Sequence, residues 1–185
     1  SSLKNEFLQK GKKFIDRFGT YNNVKNNGKP LETFNVNTMG TGNILDALRR
    51  LNNKCVAVMI TSDKCYDNVE WTYGYREIDN LGGDDPYSGS KAAAEMIIRS
   101  FTKSFFNSKE SNVKIAIGRA GNVIGGGDWA KDRLIPDIVR SLFLKKNILI
   151  RNPNAIRPWQ HVLDPLYGYM CLAKKLYRYE LKRKD

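Results

Sequence analysis

CVAVMITSDK, residues 55–64, is the stretch that decides the fold. Its apolar run, Cys55 to Ile60, is short, uninterrupted and rich in β-branched residues. That pattern predicts a strand covered on both faces in a parallel sheet, drawn here over residues 55–62. The run ends in Thr61, Ser62, Asp63 and Lys64, a cluster of hydroxyls and titratable groups. In doubly wound sheets the carboxyl ends of the strands are where ligands bind, so this rim is a candidate site. Asp63 and Lys64 offer a carboxyl and an amine whose protonation can be tuned apart, and a charged turn after a strand would read the same way.

Upstream, LETFNVNTMGTGNILDALRRL (31–51) places Met39, Ile44, Leu45, Leu48 and Leu51 at helical spacing. Downstream, DKCYDNVEWTYGYREIDNLGGDDP (63–86) reads as a long loop, a length that in compact domains is usually functional. A helix follows from Ser88 to about Phe106, with Ala92, Met96, Ile97 and Phe101 as its apolar positions. VKIAIGRA (113–120) repeats the buried-strand pattern and leads into the glycine-rich GNVIGGGDW (121–129). Then come a helix over 134–144, a short strand in NILIR (147–151) and a final amphipathic helix over about 165–178. The first thirty residues are polar and weakly patterned, a helix of modest quality and a loop. Alternating helix and buried strand predicts an α/β, doubly wound parallel sheet.

Composition narrows the function. Hydrophobic residues make up 41% of the 185 and charged residues 27%, as in globular proteins, and no apolar run approaches spanning length. The start has neither the apolar core nor the cleavage site of a signal peptide, so a cytoplasmic protein without a membrane partner is expected. Three cysteines without a C-x-x-C pair and a single histidine, His161, argue against a metal site. The net charge of +12 is scattered among acids except in the tail KKLYRYELKRKD, which carries no base-reading motif. An anionic small substrate, or simple drift toward Lys and Asn, accounts for it as well, and nucleic acid is not the expected partner.

DPYSGSKAAAEMIIRSF (85–101) carries Tyr87 and Lys91, four apart where a helix begins. Residues so spaced share a face, and a neighbouring ammonium favours the phenolate that a general base needs. An exposed tyrosine and a solvated lysine would show the same spacing, so the pair alone does not choose.

Ser62 at a strand end followed by Y-x-x-x-K at the next helix resembles the extended short-chain dehydrogenase/reductase superfamily. More narrowly, TSDKCYDNVEW, GYREIDNLGGDDPYSGSKAAAE, GRAGNVIGGGDWAKDRLIPDIVRS and IRNPNAIRPWQHVLDPLYGY are similar to the CDP-glucose 4,6-dehydratase family, collinearly over about residues 30–177. Asp63–Lys64 stands where many sugar-nucleotide dehydratases have an Asp–Glu pair, which favours the CDP-glucose branch. The resemblance implies a Rossmann-like sheet, NAD as cofactor beside Tyr87 and Lys91, and CDP-glucose as substrate. Tyr87, assisted by Lys91, would take the C4 hydroxyl proton while hydride passes to NAD, and Ser62 would hydrogen-bond that oxygen. The 4-ketone acidifies C5–H. Asp63 and Lys64 would serve the loss of water across C5 and C6, with either as the acid. Hydride returned to C6 gives the 4-keto-6-deoxy sugar, for deoxysugar and lipopolysaccharide (O-antigen) biosynthesis.

By the same resemblance Asn122 lies near the diphosphate; Arg133 and Arg157 are candidates for anion contacts, since guanidinium suits phosphate oxygens, with surface ion pairs as the alternative. GNVIGGGDW has the wrong spacing for a dinucleotide loop, and MGTGNIL has Leu45 where the third glycine would stand. His161 is given no role.

The family's opening strand, glycine turn and helix for the NAD pyrophosphate do not appear in the sequence. The expectation is therefore an internal fragment in three parts. Residues 1–29 are poorly matched. Residues 30–120 are the C-terminal half of the NAD-binding domain, with its N-terminal strands missing. Residues 121–185 are part of a smaller substrate-binding region. A half-sheet would expose apolar faces, so poor stability or reliance on a partner is expected of the chain alone. A homodimer through helices 34–51 and the Tyr87 helix follows from the superfamily. Another sugar-nucleotide dehydratase or epimerase, or an inactive remnant, remains the alternative.

Overall fold

A computed structural model of the chain describes residues 29–108, 110–130 and 132–182. The helix expected within the first 28 residues lies outside them. Residues 30–125 and 156–182 form one compact unit, and 126–155 belong to another.

In the first unit, helices α1 (Pro30–Phe34) and α2 (Gly40–Leu48) are joined by a π-helical turn, Asn35–Met39. Strand β1 (Cys55–Ile60) follows, then a 3₁₀ turn, Asp63–Cys65. Helix α3 (Pro86–Phe101), extended by a π turn Thr102–Phe106, leads to β2 (Val113–Gly118) and β3 (Asn122–Ile124). After the second unit and its helix α4 (Leu134–Phe143), β4 (Trp159–His161) and α5 (Leu163–Lys182) complete the first.

β1 and β2 pair in parallel, Cys55 opposite Val113 through Ile60 opposite Gly118. β3 and β4 form a second parallel pair, Asn122 opposite Trp159 through Ile124 opposite His161. Side chains alternate across a strand. Cys55, Ala57, Met59, Ile115 and Ile117 therefore share one face, which packs on a core of Leu45, Leu48, Ile98, Phe106 and Val113 supplied largely by α2 and α3. On the other face Gly118 meets Tyr169 of α5 so closely that an added Cβ would lie 2.6 Å from its ring. The sheet is thus an α/β layer with helices on both faces, a partial version of the doubly wound plan.

Several expectations need correction. NILIR (147–151) is not a strand: it finds no partner for a ladder, and Leu149 is 79% exposed. The strand supposed to be fully covered is only half-buried, because a two-stranded sheet leaves edges open. Met39, Leu51 and Met96, assigned to apolar helix faces, are exposed, while Leu45, Leu48, Ala92 and Ile98 are the buried ones.

Candidate active site

The site is built where β1 ends. The Thr61 N–H donates to Gly118 O (2.9 Å) and the Asp63 N–H to Ala120 O (3.1 Å), so the chain leaves the strand still tied to β2. Ser62 is extended and caps the 3₁₀ turn. Its Oγ accepts from the Lys64 N–H (3.2 Å) and donates to Asp63 Oδ1 (2.9 Å). Ser62, Asp63 and Lys64 therefore occupy one tight turn at the sheet rim, each partly exposed.

Helix α3 starts at Pro86, two residues ahead of the expected Ser88. Asp85 is an extended N-cap whose Oδ1 accepts from the N–H groups of Tyr87 (2.9 Å) and Ser88 (3.1 Å), and Pro86 occupies the first turn. The cap fixes Tyr87 at the helix mouth. Lys91, one turn on, is 9% exposed, with Nζ 5.8 Å from the centroid of the Tyr87 ring. Burial pushes the Lys91 amine below its ordinary value.

One turn further, Glu95 has no exposed surface and ties the two halves together. Its Oε1 accepts from Thr61 Oγ1 (2.7 Å), Cys65 Sγ (3.1 Å) and Arg119 Nε (2.6 Å), and its Oε2 accepts from Arg119 Nη2. Arg99 Nη2 lies 3.8 Å from Oε2. The Arg119 guanidinium stacks over the Tyr66 ring at 4.4 Å, and its Nη1 has no hydrogen-bond partner among the described residues. Burial alone would raise the pKa of Glu95, but the bonds from Arg119, Thr61 and Cys65 outweigh it and hold the group below its ordinary value. The bond to Glu95 raises Arg119 in turn, against its burial. Burial, then the Glu95 carboxylate, push the Cys65 thiol up to about 12.

Of the other candidates, Asn122 is the first residue of β3 and is half-buried opposite Trp159. Arg157 is exposed and its Nη1 donates to Ile156 O (2.8 Å). Arg133 precedes α4 in the second unit and pairs with Asp128 Oδ2 at 2.7 Å. His161 acts at the start of α5, where its Nδ1 accepts from the Leu163 N–H (3.3 Å) and its own N–H donates to Asp164 Oδ2 (3.1 Å). The sequence reading missed Glu95 and Arg119. The available signals were a glutamate continuing the Tyr87–Lys91 stripe by four residues and an arginine closing an apolar strand.

MGTGNIL lies within helix, its Gly40 at φ −59°. Among the described residues no group of His, Cys, Asp and Glu could hold a metal ion, and no helix is long and apolar enough to cross a membrane.

The chain is a parallel α/β layer in which the helix bearing Tyr87 and Lys91 packs on the turn that ends β1, and comparison with known proteins sets the family. Residues 18–180 match the NAD dependent epimerase/dehydratase family, and the chain belongs to it. It is 55% identical over 152 residues to CDP-glucose 4,6-dehydratase of Salmonella typhimurium, covering 80% of this chain and 42% of the relative. It is 26% identical over 185 residues to dTDP-D-glucose 4,6-dehydratase of Dictyostelium discoideum, covering 94% of this chain and 41% of the relative. Among solved structures, dTDP-glucose 4,6-dehydratase from Bacillus anthracis in complex with NAD superposes with a TM-score of 0.65 at 25% identity, covering 76% of this chain and 43% of that one. The chain thus spans about two fifths of the length of these curated relatives.

Proposed function

We propose that the protein is the catalytic part of an NAD-dependent CDP-glucose 4,6-dehydratase, a hydro-lyase that converts CDP-D-glucose to CDP-4-dehydro-6-deoxy-D-glucose. The observation that carries this reading is the docking of the Ser62–Asp63–Lys64 turn on the helix that bears Tyr87 and the buried Lys91. The 55% identity to the Salmonella enzyme supports the choice of nucleotide.

In this reading Tyr87 is the base that removes the C4 hydroxyl proton. Lys91 supports it, since a cation held out of water one turn away favours the phenolate. Ser62 Oγ positions the C4 oxygen. Once C4 is a ketone, C5–H is acidic, and Asp63 and Lys64 on the same turn handle the two protons of water loss: one removes C5–H, the other protonates the departing C6 hydroxyl. Asn122 and Arg157 serve the sugar nucleotide; Arg133, which pairs with Asp128, is a further candidate for an anion contact.

A phenol and a buried ammonium suit the ribose hydroxyls beside the nicotinamide, so Tyr87 and Lys91 would hold that end of NAD. Residues 30–120 would then be the catalytic side of the cofactor domain and 121–185 part of the substrate region. When bound, NAD supplies the reversible redox step. A cytoplasmic homodimer through the α1–α2 and α3 helices, whose Met39 and Met96 are exposed, completes the proposal, with surface deoxysugar synthesis as its role.

The test is to incubate the purified protein and NAD with CDP-, dTDP- and UDP-glucose and identify the products by mass spectrometry. A keto product one water lighter, formed from CDP-glucose in preference to the others, is the expected result. Preference for another nucleotide would move the protein to a sister dehydratase, and a C4 epimer without water loss would make it an epimerase.

A further inference from the structure

The turn that carries Ser62, Asp63 and Lys64 is held at both ends by one atom. Thr61, just before it, and Cys65, at its close, both donate to Glu95 Oε1, at 2.7 and 3.1 Å. Glu95 sits on α3 in register with Tyr87 and Lys91, two turns beyond the first and one beyond the second. Arg119, at the end of β2, donates to both oxygens of the same carboxylate and so adds the neighbouring strand. All three elements that meet at the rim converge on a single side chain with no exposed surface.

From this convergence we infer that Glu95 is a positioning residue, which sets the distance between the Ser62–Asp63–Lys64 turn and the Tyr87–Lys91 pair. It touches no substrate in this role, because it is fully covered. It acts through Thr61 and Cys65, and Arg119 supplies the counter-charge that keeps it ionised in the interior. A charged acceptor is suited to the task, since hydrogen bonds to an ionised group are shorter and stronger than neutral ones. The inference rests on the proposed catalytic roles of these residues, since a clamp matters to catalysis only if both of its arms carry reacting groups.

The experiment has two readouts on the purified protein. Hydrogen–deuterium exchange over residues 62–66 reports the clamp itself, and steady-state turnover of CDP-glucose with NAD reports its use. Glu95→Gln removes the charge. Because it leaves Arg119 without its counter-ion and risks the fold, Thr61→Val is the second variant, deleting one clamping bond at constant volume. Thr61→Ser restores the hydroxyl.

Faster exchange at 62–66 in Thr61→Val is expected, with kcat lower by about 10- to 100-fold, the scale of a misplacement of about 1 Å, and KM little changed. Thr61→Ser should return both toward the unsubstituted protein. Exchange unchanged in Thr61→Val and Glu95→Gln would overturn the clamp. Faster exchange with kcat intact, or a loss in KM alone, would overturn its catalytic use. If the unsubstituted protein fails to dehydrate CDP-glucose, the proposed function fails and the positioning role with it, whereas the exchange data still decide whether the clamp exists.

Discussion

Replacing Arg119 with methionine tests the buried carboxylate on its own terms. Methionine fills much of the volume of the arginine stem and can still pack on Tyr66, but both charged hydrogen bonds to Glu95 disappear. Removing one partner of a buried pair costs about 3–5 kcal/mol, because the remaining charge stays out of water. Thr61 and Cys65 continue to donate to Oε1, so the lower end, about 3 kcal/mol, is expected. In a chain of this size each kcal/mol lowers Tm by about 2–4 °C, which predicts a drop of about 6–12 °C at pH 7.

The pH dependence carries the sign. In the native protein Glu95 titrates below its unfolded value, which is about 4.3, so its contribution is complete above that pH and is lost as pH falls through the lower folded value. Without Arg119, burial dominates and the folded pKa rises above the unfolded one. The deficit of Arg119→Met should therefore shrink as pH falls from about 7 toward 4. Thermal melts followed by circular dichroism across that range measure it. A variant that melts within about 2 °C of the native protein at pH 7, or whose deficit is the same at every pH, would refute the reasoning.

Asp85→Ala should cost about 1 kcal/mol by removing the cap of α3, and should loosen Tyr87 enough to lower turnover more than Tm; equal melting curves with equal kcat would count against it. Iodoacetamide at pH 8 should label the exposed Cys171 well before Cys65, which is buried with its thiol pushed up to about 12, and peptide mapping showing comparable rates would contradict that environment. Lys91, reductively methylated with ¹³C and followed by NMR, should titrate below an ordinary lysine, which lies at about 10.4; a midpoint at or above that value would mean the amine is not buried as described.

The strands β1 and β2 and helix α3 were legible because their signals are local. Continuous β-branched runs mark the strands, and apolar residues at helical spacing mark the helix, whose Asp85 cap and Pro86 start the sequence reading had left in the loop. Even the false strand at NILIR shows the limit of that reading, since an apolar run states a propensity and a ladder requires a neighbour. β3 and β4 were hidden for the same reason: each is three residues long, and each exists through its pairing with the other across more than thirty residues.

Within the site, Ser62, Asp63, Lys64, Tyr87 and Lys91 stood out because their types and spacing suggest proton transfer. Glu95 and Arg119 did not, since a glutamate on an amphipathic helix and an arginine after a strand are ordinary surface residues until packing buries them together. The π turns at Asn35–Met39 and Thr102–Phe106 left no sequence signal that periodicity could find.

The measurement that tests the central claim most directly is turnover of CDP-glucose, with NAD, by the purified protein and by Tyr87→Phe. The unsubstituted protein should yield a product with a C4 carbonyl and a C6 methyl group by NMR, and Tyr87→Phe, which keeps the ring and loses the hydroxyl, should be slower by about 100-fold or more, the scale of general-base catalysis. A Tyr87→Phe protein that dehydrates CDP-glucose at the same rate would contradict the claim that this helix and the Ser62–Lys64 turn form one active site.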